Sequence, residues 1–241
     1  STVVRFAIEL GFSGYPSLQK SLQELIKNKL TTVQRLDLSN DYICNGYTLK
    51  GVLKSDMENI RATMEKINYS TFEDVVNNIF EAKRIYIIGL RSSMALAEFL
   101  GFYLNVILQN VKTVGYGISD IFEEMINIGE GDLVIGIGFP RYANRTIDVL
   151  SFAQDRGATI VALTDSIISP LAQRADYALI AQSNMASFVD SLVAPLSVIN
   201  ALLIAVGLRQ KESVSTTFNS LEEIWKEYNV YSYNHNNDDE F

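Results

Sequence analysis

The sequence predicts an α/β fold, a three-layer sandwich around a five-stranded parallel sheet, with a short all-helical segment ahead of it. Three observations carry that expectation. Short apolar runs recur from residue 84 onward, and stretches of helical periodicity fall between them. Runs such as RIYIIG, DLVIGIG and TIVALT are continuous rather than alternating, which suits strands covered on both faces. Strand–helix alternation of this kind builds layers of helix, sheet and helix.

The elements follow in order. STVVRFAIELGF is expected to be helical, with Val3, Phe6, Ala7 and Leu10 on one stripe and Gly11 as a stop, and Val3, Val4 and Phe6 as core. After a turn at Gly14–Pro16, Leu18, Leu22, Leu25 and Ile26 mark a second helix. Beyond a mixed region through Gly51, Leu53, Met57, Ile60, Met64 and Ile67 recur in steps of four and three. That seam is either one side of a core helix or a helix packing on another subunit. Ser70–Thr71–Phe72–Glu73 has the form of a capping box, opening a helix whose apolar face is Phe72, Val75, Val76, Ile79 and Phe80.

The five strands are expected at Arg84–Gly89, Val111–Val114, Asp132–Gly138, Thr159–Thr164 and Tyr177–Ile180. Helices are expected at Ser93–Gln109, Asp120–Ile126, Asn144–Arg156, Pro170–Ala175 and Asp190–Leu208, and a last one, carrying Trp225, near Ser220–Tyr228. Leu192–Val206 is the most apolar stretch. It is interrupted by Pro195, Ser197 and Asn200 and falls short of the roughly 20 residues a spanning helix needs, so it reads as buried and no membrane partner is expected.

The 241 residues carry a formal charge of −8, which argues against nucleic-acid binding over most of the surface. The charge is uneven. Residues 1–35 hold Arg5, Lys20, Lys27, Lys29 and Arg35 against Glu9 and Glu24, a net +3, which leaves −11 on the remainder. A basic head on an acidic body suggests one anionic polymer and one small molecule as partners. Cys44 is the sole cysteine, so an internal disulfide is excluded and a reducing cytoplasm fits. The single histidine, His235, lies in the polar C-terminal run, and neither a metal-ligand cluster nor a nucleophilic triad is legible. The chain opens on Ser1 inside a helical pattern, without an initiator methionine or signal-peptide pattern, and reads as a truncated protein.

In an open parallel sheet, ligands bind beyond the carboxyl ends of the strands, so three loops are candidates. In Gly89–Leu90–Arg91–Ser92–Ser93, glycine admits close backbone approach, helix N-terminal amides favour an anion, and Arg91, Ser92 and Ser93 can hold phosphate oxygens. It is not a dinucleotide fingerprint, because GLRSSM lacks the second and third glycines. The second loop, Gly138 to Thr146, brings Arg141, Tyr142, Arg145 and Thr146 to the mouth of a buried strand. The third offers Asp165 for sugar hydroxyls, with Thr164 and Ser166 as neutral donors. Plain capping and turn chemistry is the competing account of the first and third. Together the loops describe a cationic, polar pocket for a phosphorylated, hydroxyl-rich molecule.

RIYIIGLRSS, GDLVIGIGFPRYANRT, ALTDSIISPLAQRAD and DSLVAPLSVINALL resemble the SIS (sugar isomerase) domain, over roughly residues 70–208. STVVRFAIELGFSGYPSLQKSL resembles the end of the helix-turn-helix domain of RpiR-family regulators. The resemblance implies a flavodoxin-like five-stranded sheet, dimerisation through SIS helices, and a phosphosugar effector that alters binding to operator DNA, with no cofactor. It divides the chain into a partial all-α helix-turn-helix remnant (1–36), a linker and dimer helix (37–69), the SIS domain (70–210), and a C-terminal helix with an acidic tail (211–241). By the same resemblance Ser1, Thr2 and Arg5 lie in the recognition helix and Lys20 near the phosphate backbone. Gly89, Ser92 and Ser93 match the first phosphosugar loop. The second loop departs from the family's S-x-S-G-x-T pattern: Gly138 stands where serine is expected, Pro140 replaces a hydroxyl or glycine, and Thr146 alone keeps character. Arg141 and Arg145 are then the expected replacements.

The rival expectation is an aldose–ketose phosphate isomerase on the same fold. That chemistry needs a general base, and without a histidine the candidates are Glu98, Glu123 and Glu124. "FEEM" is equally an ordinary exposed helix face.

Overall fold

The computed structural model describes residues 2–19, 22, 30–37, 48–115, 117, 119–185 and 187–232. Among them the helices are α1 (Thr2–Glu9), α2 (Thr32–Asp37), α3 (Thr48–Lys66), α4 (Tyr69–Glu81), α5 (Met94–Leu108), α6 (Ile121–Glu124), α7 (Asn144–Gln154), α8 (Val193–Arg209) and α9 (Lys211–Glu227). The strands are β1 (Ile85–Gly89), β2 (Val111–Val114), β3 (Leu133–Ile137), β4 (Thr159–Thr164) and β5 (Tyr177–Ile180). They form one parallel sheet in the order β2-β1-β3-β4-β5. Leu25 and Ile26 of the expected second helix, Cys44 and His235 lie outside the described residues.

The continuous apolar runs have a direct structural cause. Successive side chains of a strand point to opposite faces, and here both faces are covered. Ile85 and Ile87 of β1 join Leu133, Ile135, Val161 and Leu179 under α4, α5 and α8. Tyr86 and Ile88 join Val134, Ile160 and Ala162 under α6 and α7, against Met125, Val149 and Leu150. Arg84 and Asp132, expected as the first residues of two strands, sit just ahead of them and pair. Arg84 donates to both carboxylate oxygens of Asp132, at 3.0 and 2.6 Å, and so aligns the starts of β1 and β3.

Three expectations are corrected. The cap of α4 is Asn68, whose side-chain oxygen accepts from the Thr71 amide at 3.1 Å, so Ser70 lies inside the helix. The capping box belongs instead to α6, where Asp120 and Glu123 reciprocate. The last helix is longer than Ser220–Tyr228. In its serine- and threonine-rich opening the Thr216 and Ser220 hydroxyls bond back to carbonyls one turn earlier and are satisfied within the helix. Val3, Val4 and Phe6 are not core: they are 50%, 40% and 53% exposed, and Ala7 is the buried residue of α1.

The Leu53–Ile67 seam is likewise not a core face. α3 turns polar residues inward: Asn59 exchanges two hydrogen bonds with the Asn184 backbone, and the Thr63 hydroxyl accepts from the Gln182 amide. Leu53, Met57 and Met64 are left exposed on the outside. Ile67 alone packs against the core.

Candidate functional site

The strand order reverses at β1, whose neighbours are β2 and β3. At such a switch point the loops after β1 and β3 diverge and leave a crevice. A cavity of about 520 Å³ opens there, lined by Arg91, Ser92 and Ser93 from the first loop and by Gly138 to Thr146 from the second. That is the size of a small-molecule site.

Two helices begin at this cavity without a side-chain cap. α5 follows a 3-10 turn at Arg91–Ser93, and neither Leu90 nor Ser93 supplies a capping hydrogen bond. α7 starts after Ala143, which has no side chain able to cap. The Ser93 and Met94 amides close the 3-10 turn onto Leu90 and Arg91, and the Thr146 amide closes onto Ala143, so what the two helix starts offer an anion is the positive end of each dipole. Arg91 and Arg141 both hold left-handed backbone, with φ of 58° and 66°. A non-glycine residue there stores about 1–3 kcal/mol of strain, and such residues cluster at functional sites.

Glycines shape the walls. A Cβ on Gly89 would lie 2.5 Å from the Ser93 carbonyl oxygen, so only glycine lets the first loop fold back over β1. A Cβ on Gly138 would lie 2.8 Å from Cδ2 of Leu171, a fully buried side chain. Leu171 therefore occupies the space that a serine at 138 would need.

The other expected residues are placed as follows. Arg141 donates from Nη1 to the Thr32 hydroxyl at 2.7 Å. Arg145 lies on the lining, but it is ion-paired with Asp120 and stands over the Phe122 ring at 4.8 Å. Thr146 is buried beside it. The third loop stays off the lining. The Tyr142 hydroxyl donates to Asp165 Oδ1 at 2.6 Å, and the Thr164 hydroxyl donates to the same oxygen at 3.3 Å. Ser166 accepts from the Ile168 amide at 3.3 Å. Asp165 thus props Tyr142 from behind. Burial first, and then this hydrogen bond, push the Tyr142 phenol well above its ordinary range, so it stays a donor. Thr2 and Arg5 are exposed, three positions apart on one face of α1. Ser1 and Lys20 lie outside the described residues.

The carboxylates considered as bases sit elsewhere. Glu123 serves the α6 capping box, while Glu98 and Glu124 line a separate cavity beside β2. Glu124 pairs there with Lys112 at 3.2 Å.

Sequence reasoning missed the far wall of the main cavity, which is formed by Thr32, Arg35, Phe188 and Asp190. Arg35 is buried, and its Nη1 donates to Asp190 Oδ1 at 3.1 Å. Burial raises the Asp190 carboxyl above its ordinary range, against the attraction of Arg35 and Arg141. One signal was legible: Thr31 and Gln34 form a reciprocal capping box that opens α2. Among the described residues, no group of three or more His, Cys, Asp and Glu gathers to hold a metal, and no single helix is long and apolar enough to cross a membrane.

The family model described as SIS domain matches residues 78–205. The chain belongs to the SIS domain family. Within that family its likeness runs to the RpiR type of regulator. An uncharacterized HTH-type transcriptional regulator of Haemophilus influenzae is 28% identical over 75% of this chain and 63% of its own length. The SIS region is similar to the sugar isomerase domain of an RpiR transcription factor from Sphaerobacter thermophilus, at 29% identity and a TM-score of 0.70, covering 73% of this chain and 99% of that one. The Vibrio vulnificus NanR protein, solved with ManNAc-6P, shares the fold at 19% identity and a TM-score of 0.64, covering 94% of this chain and 81% of that one. The chain spans 63% and 64% of the length of the first two curated relatives it matches.

Proposed function

We propose that this chain is the effector-sensing part of a cytoplasmic transcription regulator, in which a phosphorylated sugar held by the SIS domain changes the grip of the N-terminal helices on operator DNA. The observation that carries the reading is the convergence, at the β1/β3 switch point, of two uncapped helix N-termini with Arg91 and Arg141. That constellation is built for a dianion. Ser92, Ser93 and Arg141 take the phosphate, and the sugar body extends toward Tyr142 and Asp190. Thr2 and Arg5 on α1, with Ser1 and Lys20, contribute to the DNA contact. No cofactor is needed. The exposed apolar residues Leu53, Met57 and Met64 of α3 and Ile204 and Leu208 of α8 support a homodimer as the working unit.

The rival isomerase would need a general base inside the cavity. Asp190 is the carboxylate among the described lining residues, and it is engaged by Arg35. The test is a mobility-shift titration of the protein on DNA upstream of its own operon, with and without ManNAc-6P, run beside a proton-exchange assay of the same sugar phosphate. The reading expects affinity for DNA to change on addition of the phosphosugar, with the phosphosugar recovered unaltered. Many turnovers per chain, with no effect on DNA, would replace it with the isomerase.

A further inference from the structure

α2 lies well ahead of the residues matched to the SIS domain, yet it forms a wall of the SIS cavity. It is a six-residue helix, open to solvent on most sides: Val33 is 68% exposed and Leu36 45%. One side chain goes the other way. The Arg35 side chain is 2% exposed and reaches Asp190, which the fold places just ahead of α8. Thr32, on the same helix, accepts from Arg141.

A six-residue helix gains little from its own backbone, so contacts such as these two, to residues far along the same chain, seat α2 on the cavity. Burying a guanidinium is costly unless an anion compensates it. Asp190 supplies one negative charge to a wall that also carries Arg91 and Arg141. The cavity therefore keeps a cationic excess in which Arg35 is the most enclosed group.

We propose that Arg35 and Thr32 are effector-binding residues contributed from outside the SIS domain, and that the Arg35–Asp190 and Arg141–Thr32 bonds tie occupancy of the cavity to the seating of α2. This rests on the reading of the cavity as a sugar-phosphate site. Arg141 engages Thr32 through Nη1, and its guanidinium keeps further donors for a phosphate oxygen, so one side chain can grip the ligand and α2 together. A bound phosphate also places an anion beside the buried Arg35 guanidinium on the cavity wall, which favours that group's burial there. An occupied cavity then holds α2 more tightly than an empty one. By reciprocity, whatever loosens α2 weakens the ligand by the same factor. α2 stands in the chain between α1 and the SIS domain, so its seating is what the N-terminal helices register.

The experiment is hydrogen exchange of amides 32–37, paired with calorimetry, using ManNAc-6P and glucose 6-phosphate as probes. Saturation of the wild-type chain with a probe that binds is expected to slow exchange at these amides about fivefold or more. Arg35→Gln is expected to speed their exchange in the ligand-free chain and to weaken the probe roughly tenfold or more. Arg209→Gln, whose arginine pairs with Glu73 on α4, should change neither. If circular dichroism shows that Arg35→Gln misfolds, Arg35→Lys carries the same comparison, with a smaller loss because a point charge replaces the fork. Wild-type affinity in a folded Arg35 variant, with exchange at 32–37 unmoved, would overturn the inference and leave the sugar-phosphate site intact. Failure of both probes to bind the wild-type chain would remove that site and this inference together.

Discussion

Arg35 Nη1 donates to Asp190 Oδ1 at 3.1 Å, joining side chains 155 positions apart on opposite sides of the sheet domain's sequence. Asp190 is the half-buried member of the pair, and burial holds its carboxyl above the ordinary range despite Arg35 and Arg141. The folded state therefore binds that proton more tightly than the unfolded chain does. The contribution of this group to stability is full below the unfolded pKa and is lost as pH rises through the folded one. Asp190→Asn mimics the protonated form, so urea unfolding between about pH 4 and pH 7 should show the variant gaining on the wild type as pH rises. A gap independent of pH would contradict the assignment.

The outward seam of α3 makes a different prediction. Met57 and Met64 are 64% and 62% exposed, and Asn59 and Thr63 hold the helix from its inner side. Met57→Glu with Met64→Glu should leave the fold intact, because neither side chain packs inside it. Light scattering at micromolar concentration should give twice the chain's 26.9 kDa for the wild type and the monomer mass for the double variant. A wild-type monomer would remove the dimer from the account.

Gly138 packs against Leu171, which leaves little room for the serine that the resemblance leads one to expect at this position. Restoring that serine by Gly138→Ser drives a Cβ to within 2.8 Å of a buried leucine methyl. Overpacking of this kind is expected to destabilise by about 1–3 kcal/mol, measured by urea unfolding. An unchanged midpoint would mean that Leu171 yields freely and that glycine is not required.

The sheet was legible because its signal is local. The central strands of a doubly covered parallel sheet are apolar along their whole length, and the runs at β1, β3 and β4 show it. The first two loops were legible for the same reason, since a strand end followed by glycine, hydroxyl and arginine lies within a few residues. What was not legible depends on distance. The Thr31–Gln34 box marks a helix start but not a buried residue, and the burial of Arg35 is matched by a carboxylate far along the chain. The orientation of α3 was hidden because both of its faces fit a helix: periodicity marks an apolar stripe but does not say which stripe turns inward. Asp165 looked like a sugar ligand because its role under Tyr142 exists only once the second and third loops meet.

The most direct test of the central claim is calorimetry of ManNAc-6P and of its unphosphorylated parent sugar on the wild-type chain and on Arg141→Ala. Arg141 lines the cavity from a left-handed loop position, where its guanidinium spends its hydrogen bond on a neutral hydroxyl. The account predicts that the phosphorylated sugar binds and the parent does not compete with it. Arg141→Ala should weaken the phosphosugar by about 1.5–3 kcal/mol, the scale of a hydrogen bond to a charged group. Equal affinity for sugar and sugar phosphate, or full affinity in Arg141→Ala, would contradict it.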